Sequence, residues 1–209
     1  LKSDSAPEGI KAEAFLLTAN SLRELKDLGP AINAYKQVIA MGGGVELEAR
    51  LELARTYVED KQYDKALEGF TGLFNAKVTP IAANALYESA MVHRTLARQW
   101  ALASDPAKAK EHNEQAMTEF MRLIVLFPFT QLSPLPQRAH LELAEVATLL
   151  DKEAEARKAY ENLEEKYPDQ TYATYAKAML ASIRGQRGDA VFLLKKLREQ
   201  PLDESLTER

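Results

Sequence analysis

Residues 47–80 read LEARLELARTYVEDKQYDKALEGFTGLFNAKVTP, and this stretch decides the fold. Small and large apolar residues recur in it at the three- and four-residue spacing of a helix face: Ala54 and Tyr57, then Ala66, Phe70 and Leu73. Polar and charged residues separate the two runs. The stretch therefore predicts a pair of amphipathic helices joined by a short turn.

The same order of residues recurs on both sides of this stretch. It returns in residues 12–45 as Ala19, Leu22, Ala31, Tyr35 and Val38, in residues 137–170 as Ala144, Ala147, Ala156, Tyr160 and Leu163, and in residues 171–204 as Ala178, Ala181, Ala190, Leu194 and Leu197. The last two units follow each other without a gap, each 34 residues long. Repetition at this period indicates a helical-repeat protein.

The middle unit, residues 83–130, departs from the period. Its two small residues, Ala90 and Ala116, are 26 residues apart, whereas the other units have 12, so 14 residues are inserted. Fourteen residues make about four helical turns. We expect two extra turns on each helix, with helices near 82–103 and 106–127 and a capped turn at Ser104-Asp105-Pro106.

The spacing of these residues resembles that of the tetratricopeptide repeat (TPR) family. The resemblance implies an all-α fold: a right-handed solenoid of about five helical hairpins, the third with elongated helices. In that family the two helices of a hairpin cross most closely at the small residues that match Ala54 and Ala66. Residues 165–170, EKYPDQ, more weakly resemble bacterial envelope TPR proteins of the outer-membrane assembly or TolA-binding type.

The expected domain organisation is a flexible N-terminus (1–11), a single solenoid (12–204) and a tail (205–209). The five repeats cover about 12–45, 47–80, 83–130, 137–170 and 171–204. Gly42 to Gly44 predict a break between the first two repeats. Three prolines in residues 127–136 predict a loop, because proline interrupts helices. Gly188 and Asp189 are expected to form the last turn and helix N-cap.

Composition and motifs argue against several classes of function. The net charge of -4 gives no reason to expect nucleic acid as a partner. There is no cysteine, no HExxH motif, no phosphate-binding glycine loop and no apolar run long enough to span a bilayer. We expect no enzyme activity, no cofactor, no metal and no membrane insertion by this segment. His93, which falls at a packing position between repeats, is expected to be a buried or half-buried histidine.

The resemblance also implies a binding groove. In TPR arrays, positions 2, 5, 9 and 12 of each first helix line the concave face. We therefore expect a partner-binding groove, an apolar and aromatic stripe flanked by charges that suits a peptide, lined by Leu16, Asn20, Leu51, Arg55, Tyr87, Met91, Arg94, Leu141, Tyr172, Tyr175 and Met179.

One known ligand class of the family fits poorly. The TPR clamp for chaperone tails needs five lysine, arginine and asparagine residues at set positions. Only Asn20 matches, and the other four positions hold Leu16, Glu52, Asn84 and Glu88. The sequence therefore argues against recognition of Hsp70 or Hsp90 tails.

Two functions are compatible with these features. The first is a protein–protein interaction scaffold with a protein or peptide partner in the groove. The alternative is a structural spacer or self-association module, including a homodimer, of a larger bacterial envelope protein, because Val191, Leu194 and Leu197 lie near the end of the array. The compartment stays open between the periplasm or envelope and the cytoplasm, and a removed signal or anchor stays open because the sequence starts at Leu1.

Overall fold

A computed structural model describes residues 8–75, 79–128, 135–167 and 170–198, and all regular structure in these ranges is helical. The helices are α1 (Glu8–Glu24), α2 (Leu28–Met41), α3 (Glu46–Glu59), α4 (Tyr63–Phe74), α5 (Pro80–Leu102), α6 (Pro106–Leu126), α7 (Leu135–Leu149), α8 (Glu153–Lys166), α9 (Gln170–Ile183) and α10 (Arg187–Arg198). They form five successive hairpins, which confirms the predicted all-α architecture.

The chain divides into two compact units, residues 1–92 and 93–209, with the boundary inside α5. In the first unit each helix from α1 to α4 packs on the next, and α1 also contacts α3. In the second unit each helix from α6 to α10 packs on the next, and α7 also contacts α9. The first helices of neighbouring hairpins thus touch within each unit, as expected for stacked repeats.

The predicted crossing positions are buried in all five hairpins. Every one of these alanines has at most 1% of its surface exposed except Ala190, at 6%; the others are Ala19, Ala31, Ala54, Ala66, Ala90, Ala116, Ala144, Ala156 and Ala178. The large side chains expected four residues after the second alanine fill the core in the first four hairpins, since Tyr35, Phe70, Phe120 and Tyr160 are fully buried; in the fifth, Leu194 is 43% exposed, so that expectation is wrong there. The burial pattern therefore agrees with the predicted register in the first four hairpins.

The five turns within the hairpins share one backbone conformation. The middle residue of each three-residue turn has a positive φ, between 57° and 75°: Lys26, Lys61, Ser104, Asp151 and Gly185. The next residue donates its N–H to a carbonyl five residues earlier, as in Gln62 to Tyr57 at 2.8 Å. Only one of the five is the glycine that this left-handed conformation favours.

The last turn differs from the sequence-based expectation. Gly188 and Asp189 lie in the first turn of α10, so the predicted turn and N-cap at these residues is wrong. Gly185 supplies the positive φ instead, at the place where the other hairpins have theirs. Asp189 still suits its position, because an acidic side chain is favourable near the N-terminus of a helix.

The third hairpin contains the inserted residues. The first helices of the other hairpins end five residues after their crossing alanine, whereas α5 continues seven residues further, to Leu102. The second helices of the other hairpins begin three residues before theirs, whereas α6 begins ten before Ala116. The Asp105 side chain accepts the Lys108 N–H at 3.1 Å, and Pro106 occupies the first turn. The elongated, capped hairpin is as predicted.

The observed ends of helices α1, α2 and α7 can be compared with the predicted segment boundaries. Helix α1 begins at Glu8, within the N-terminal segment 1–11, and the flexibility of that segment stays a prediction. Gly42 and Gly43 follow the end of α2 and have positive φ values of 69° and 90°. Pro136 lies in the first turn of α7, where proline is tolerated. Residues 1–7, 129–134 and 199–209 lie outside the described residues.

Candidate functional site

Four of the eleven expected groove residues lie in the core. Leu16 and Leu51 are 5% exposed, Leu141 is 1% and Tyr172 is 2% exposed. Leu16 packs in a cluster with Ala19, Ala31, Tyr35, Val38 and Ala49, which come from three successive helices. The expectation that these four side chains line an accessible groove is corrected, because all four are buried.

In the first unit, the polar groove candidates are engaged within the chain. The Asn20 carboxamide oxygen accepts the Tyr35 hydroxyl at 2.7 Å. Burial raises the pKa of Tyr35 to about 12, so this hydroxyl stays protonated and donates. Tyr87 and Met91 are half-buried and lie four residues apart on α5.

A ladder of ion pairs joins α1, α3 and α5 in the same unit. Glu52 contacts Arg23 at 2.7 Å and Arg55 at 2.7 Å, and Arg55 also contacts Glu88 at 2.9 Å. Burial alone would lower the pKa of Arg55, but the carboxylates of Glu88 and Glu52 outweigh it and raise that pKa. Arg55 therefore connects two helices and is not available as a free cation.

The second unit holds a cluster of charges on α5, α7 and α9. The Arg94 guanidinium pairs with Glu142, which is fully buried, and with Glu145 at 3.1 Å. Tyr175 donates its hydroxyl to Glu145 at 3.4 Å. Burial, with the nearby charge of Glu145, raises the pKa of Tyr175 to about 12. The cluster holds Arg94 and Tyr175 in place and leaves both side chains partly exposed.

Beside this cluster lies a pocket of about 480 Å³. Two of the expected residues, Arg94 and Met179, line it, and Tyr175 reaches it through Glu145. The complete lining is Arg94, Ala97, Arg98, Ala101, Asn113, Glu145, Thr148, Leu149, Tyr160 and Met179. The pocket thus combines apolar walls with a few polar groups, which is the usual make-up of a recognition site.

Several residues of this pocket were missed by the sequence analysis. Ala97, Arg98 and Ala101 belong to the two extra turns of α5, and Asn113 lies on α6 where an ordinary second helix would begin. Together with Arg94, the three residues of α5 recur at intervals of three and four, so they share one helix face. The 14-residue insertion indicated that α5 and α6 have extra turns. The spacing of residues along the chain did not indicate which face of these turns lies towards α7.

A second concave surface, of about 690 Å³, lies in the first unit between α2, α3 and α4. It contains none of the expected groove residues. Its cationic groups are engaged: Arg50 pairs with Glu46 at 2.8 Å, and Lys65 lies 5.6 Å from the centre of the Tyr57 ring. This surface offers less for a ligand to recognise than the pocket of the second unit.

His93 is buried, in agreement with the expectation from its packing position. His93 is 9% exposed, and its Nδ1 lies 3.1 Å from Nδ1 of His112. Burial and the neighbouring His112 lower the pKa of His93 to about 4. Among the described residues, no three histidine, aspartate or glutamate side chains are placed to hold a metal ion. No helix in the described ranges has the length and apolar character needed to cross a membrane.

Comparison with known proteins agrees with the repeat pattern. A family model described as "Tetratricopeptide repeat" matches residues 13–40 and 138–169. These segments cover most of the first and fourth predicted repeats. No curated protein is significantly similar to the sequence as a whole.

Solved structures share the fold at low sequence identity. MamA is 22% identical with a TM-score of 0.61, over 87% of this chain and 92% of that one. A thermophilic TPR protein from Thermus thermophilus is 20% identical with a TM-score of 0.61, over 93% of each chain. YrrB, also a TPR protein, is 17% identical with a TM-score of 0.57, over 92% of this chain and 87% of that one. Residues 13–40 and 138–169 therefore match the tetratricopeptide-repeat model, and the helical hairpins have the fold of TPR proteins.

Proposed function

We propose that this chain is a protein-interaction scaffold that binds a peptide segment of a partner against α5, α7 and α9 of its second unit. The observation that carries the proposal is the pocket of about 480 Å³ beside the Arg94 cluster. Stacked helical hairpins expose extended surfaces of this kind, and helical-repeat proteins use them for binding. The role is binding and not catalysis, because the polar groups of the pocket include no nucleophile paired with a base.

The proposed surface is narrower than the groove expected from the sequence. Of the expected residues, Arg94, Tyr175 and Met179 surround or support the pocket. Asn20 and Arg55 serve contacts within the chain, so we assign them no partner. Tyr87 and Met91, both half-buried in the first unit, stay predicted contacts.

The structural neighbour YrrB offers support at the level of the fold. YrrB is a TPR protein with an unusual peptide-binding site. At 17% identity the likeness extends to the fold alone, so it favours a peptide ligand in general and assigns no residue of this chain. The residues are assigned by the pocket itself.

The test compares two leucines at the ends of first helices. Leu149 lines the pocket and is 63% exposed, whereas Leu102 lies at the tip of the long hairpin and is 81% exposed. Peptides would be selected from a random library on the wild-type chain, and their affinities measured by fluorescence anisotropy. Leu149→Gln should weaken binding about tenfold, since it removes an apolar contact from the pocket, and Leu102→Gln should not.

Neither leucine is in the core, so both variants should fold like the wild type, which circular dichroism would verify. Selection of no peptide at all, or equal affinity of both variants for the selected peptides, would remove the basis for this proposal.

The second candidate function is a structural spacer or self-association module. Val191, Phe192 and Leu194 on α10 are 51%, 68% and 43% exposed, which favours an apolar contact there. Leu197, which was expected to share this surface, is buried at 7%. Sedimentation of the wild type and Phe192→Ser should show an oligomer that only the variant loses, and a strict monomer at high concentration would eliminate this alternative.

A further inference from the structure

The pocket of the second unit has a wall that ordinary repeats lack. Without the insertion, α5 would end five residues after Ala90, as the other first helices do after their alanines. Ala97, Arg98 and Ala101 all lie beyond that point and all line the pocket. The extra turns of α5 therefore build part of the pocket lining, which also includes Leu149 and Met179.

The side chains on this wall are small except for one. Ala97 and Ala101 leave space between the helices, and Arg98 is the long side chain between them. The other charged groups that line the pocket, Arg94 and Glu145, are paired with each other at 3.1 Å. Among the described residues, Arg98 has no ion pair and no hydrogen bond, and it is exposed.

The carbonyls at the end of α7 do not supply a counter-charge to Arg98. The end of a helix carries partial negative charge on its last carbonyls. At the end of α7, however, the carbonyls of Val146, Ala147 and Thr148 accept hydrogen bonds from the turn that follows, at 2.8 to 3.1 Å. The Thr148 hydroxyl is bonded to the carbonyl of Ala144. Arg98 is thus the charged residue of the pocket lining that makes no ion pair among the described residues, whereas Glu142 and Glu145 share the Arg94 guanidinium.

Asn113 adds a second unengaged polar group. Its side chain is half-buried, lines the pocket from α6, and makes no hydrogen bond within the described part of the chain. An arginine and an amide with free donors match a carboxylate, which accepts hydrogen bonds on both oxygens. Next to them, Ala97, Ala101, Leu149 and Met179 offer an apolar surface.

We infer that this insertion-built pocket recognises an acidic side chain that is flanked by an apolar side chain in a partner peptide. Arg98 and Asn113 bind the Asp or Glu carboxylate, and the apolar neighbour lies between the two alanines and Leu149. The inference rests on the proposed peptide-binding function and adds its specificity. It assigns that specificity to residues that the regular repeat does not have.

The test starts from the peptides that the wild-type chain selects from a random library. Synthetic versions with amidated C-termini would be measured by anisotropy against the wild type, Arg98→Glu and Arg187→Glu. Arg187 is the matched control, since it is also exposed, lies outside the pocket and has no ion pair among the described residues. Enriched peptides should place Asp or Glu within two positions of a large apolar residue.

The expected result is a loss of about tenfold to a hundredfold with Arg98→Glu and little change with Arg187→Glu. The affinity of the wild type should fall with added salt, and that of Arg98→Ala should fall much less. Ala101→Leu should also weaken binding by filling the pocket, while Ala107→Leu, another exposed alanine of the same hairpin, should not.

The outcomes separate the two proposals. Peptides that bind without any acidic residue, or that bind Arg98→Glu as well as the wild type, would overturn this inference and leave the scaffold function standing. Binding that disappears when the C-terminus is amidated would assign the carboxylate to a chain end and overturn the side-chain assignment. The absence of any selected peptide would overturn both.

Discussion

A close approach of two helices in the first unit can be tested with one methyl group. Gly69 of α4 faces Ala54 of α3, and a Cβ added at Gly69 would lie 3.0 Å from the Cβ of Ala54. Carbon atoms pack best at roughly 3.5 to 4.0 Å. Gly69→Ala would therefore force the two helices apart by about 0.5 Å. Gly72, one turn later on α4, has no atom within 4 Å of the same added group.

The two substitutions share the same intrinsic gain and differ in packing. Replacing glycine by alanine within a helix stabilises it by about 1 kcal/mol. At Gly72 we expect a gain of about 0.5 to 1 kcal/mol in the free energy of unfolding. At Gly69 the overpacking costs about 1 to 3 kcal/mol, so the variant should be as stable as the wild type or less stable. The Gly69 variant should therefore unfold more easily than the Gly72 variant by about 1 to 3 kcal/mol.

The measurement is urea unfolding followed by circular dichroism for the wild type, both single variants and Ala54→Gly/Gly69→Ala. The double variant moves the methyl group from one helix to the other and removes the clash. A cycle that includes Ala54→Gly should then show a favourable coupling of about 1 to 2 kcal/mol. If Gly69→Ala were as stable as Gly72→Ala, the two helices would not cross as closely as described, and the argument from the repeat register would be refuted.

Two further predictions concern the turns and the histidines. Lys61 adopts a φ of 59°, so Lys61→Gly should stabilise the chain by about 0.5 to 1 kcal/mol, and Gly185→Ala, at φ 75°, should destabilise it by about 1 kcal/mol; thermal unfolding of both variants checks this. The pKa of His93 is lowered to about 4 in the folded chain, against an ordinary value of 6.5. Its contribution to the free energy of unfolding is therefore fully present above pH 6.5 and is lost as the pH falls from 6.5 towards 4. The free energy of unfolding should fall by roughly 3 kcal/mol across that window on account of this residue. His93→Gln should show a shallower decline than the wild type in urea titrations at each pH, and parallel curves would contradict the assignment to His93.

The repeat register could be predicted because its physical cause is local and recurs. A hairpin needs a small residue wherever two helices cross, and the alanines at positions such as Ala54 and Ala66 meet that need in each unit. The length of the third hairpin was equally predictable, because 14 extra residues between Ala90 and Ala116 must extend both helices if the crossing is kept. Both features follow from spacing along the chain.

The surface was harder to predict, because exposure depends on which neighbouring helix covers each side chain. Leu16 and Leu141 share a repeat position with Tyr175, yet the two leucines are buried and the tyrosine is half-exposed. Arg55 and Arg94 were expected to face a partner, but acidic residues from neighbouring helices, Glu88 and Glu145, pair with them. A family pattern predicts which face of a helix a side chain lies on. It does not predict which residues of the neighbouring helices cover that side chain or pair with it.

The insertion shows how a departure from the period bears on function. Four hairpins of this chain form with 12 residues between their crossing alanines, so the fold itself does not require the extra turns of the third. Those turns add little core, since Ala97 and Ala109 are buried while Arg98, Gln99, Ala101 and Leu102 are exposed. Exposed helical turns that contribute little to packing gain no free energy from burial. Their structural consequence is the wall of the pocket, and a variant with residues 96–102 and 106–112 deleted should therefore keep the helical fold and lose the acidic-peptide specificity.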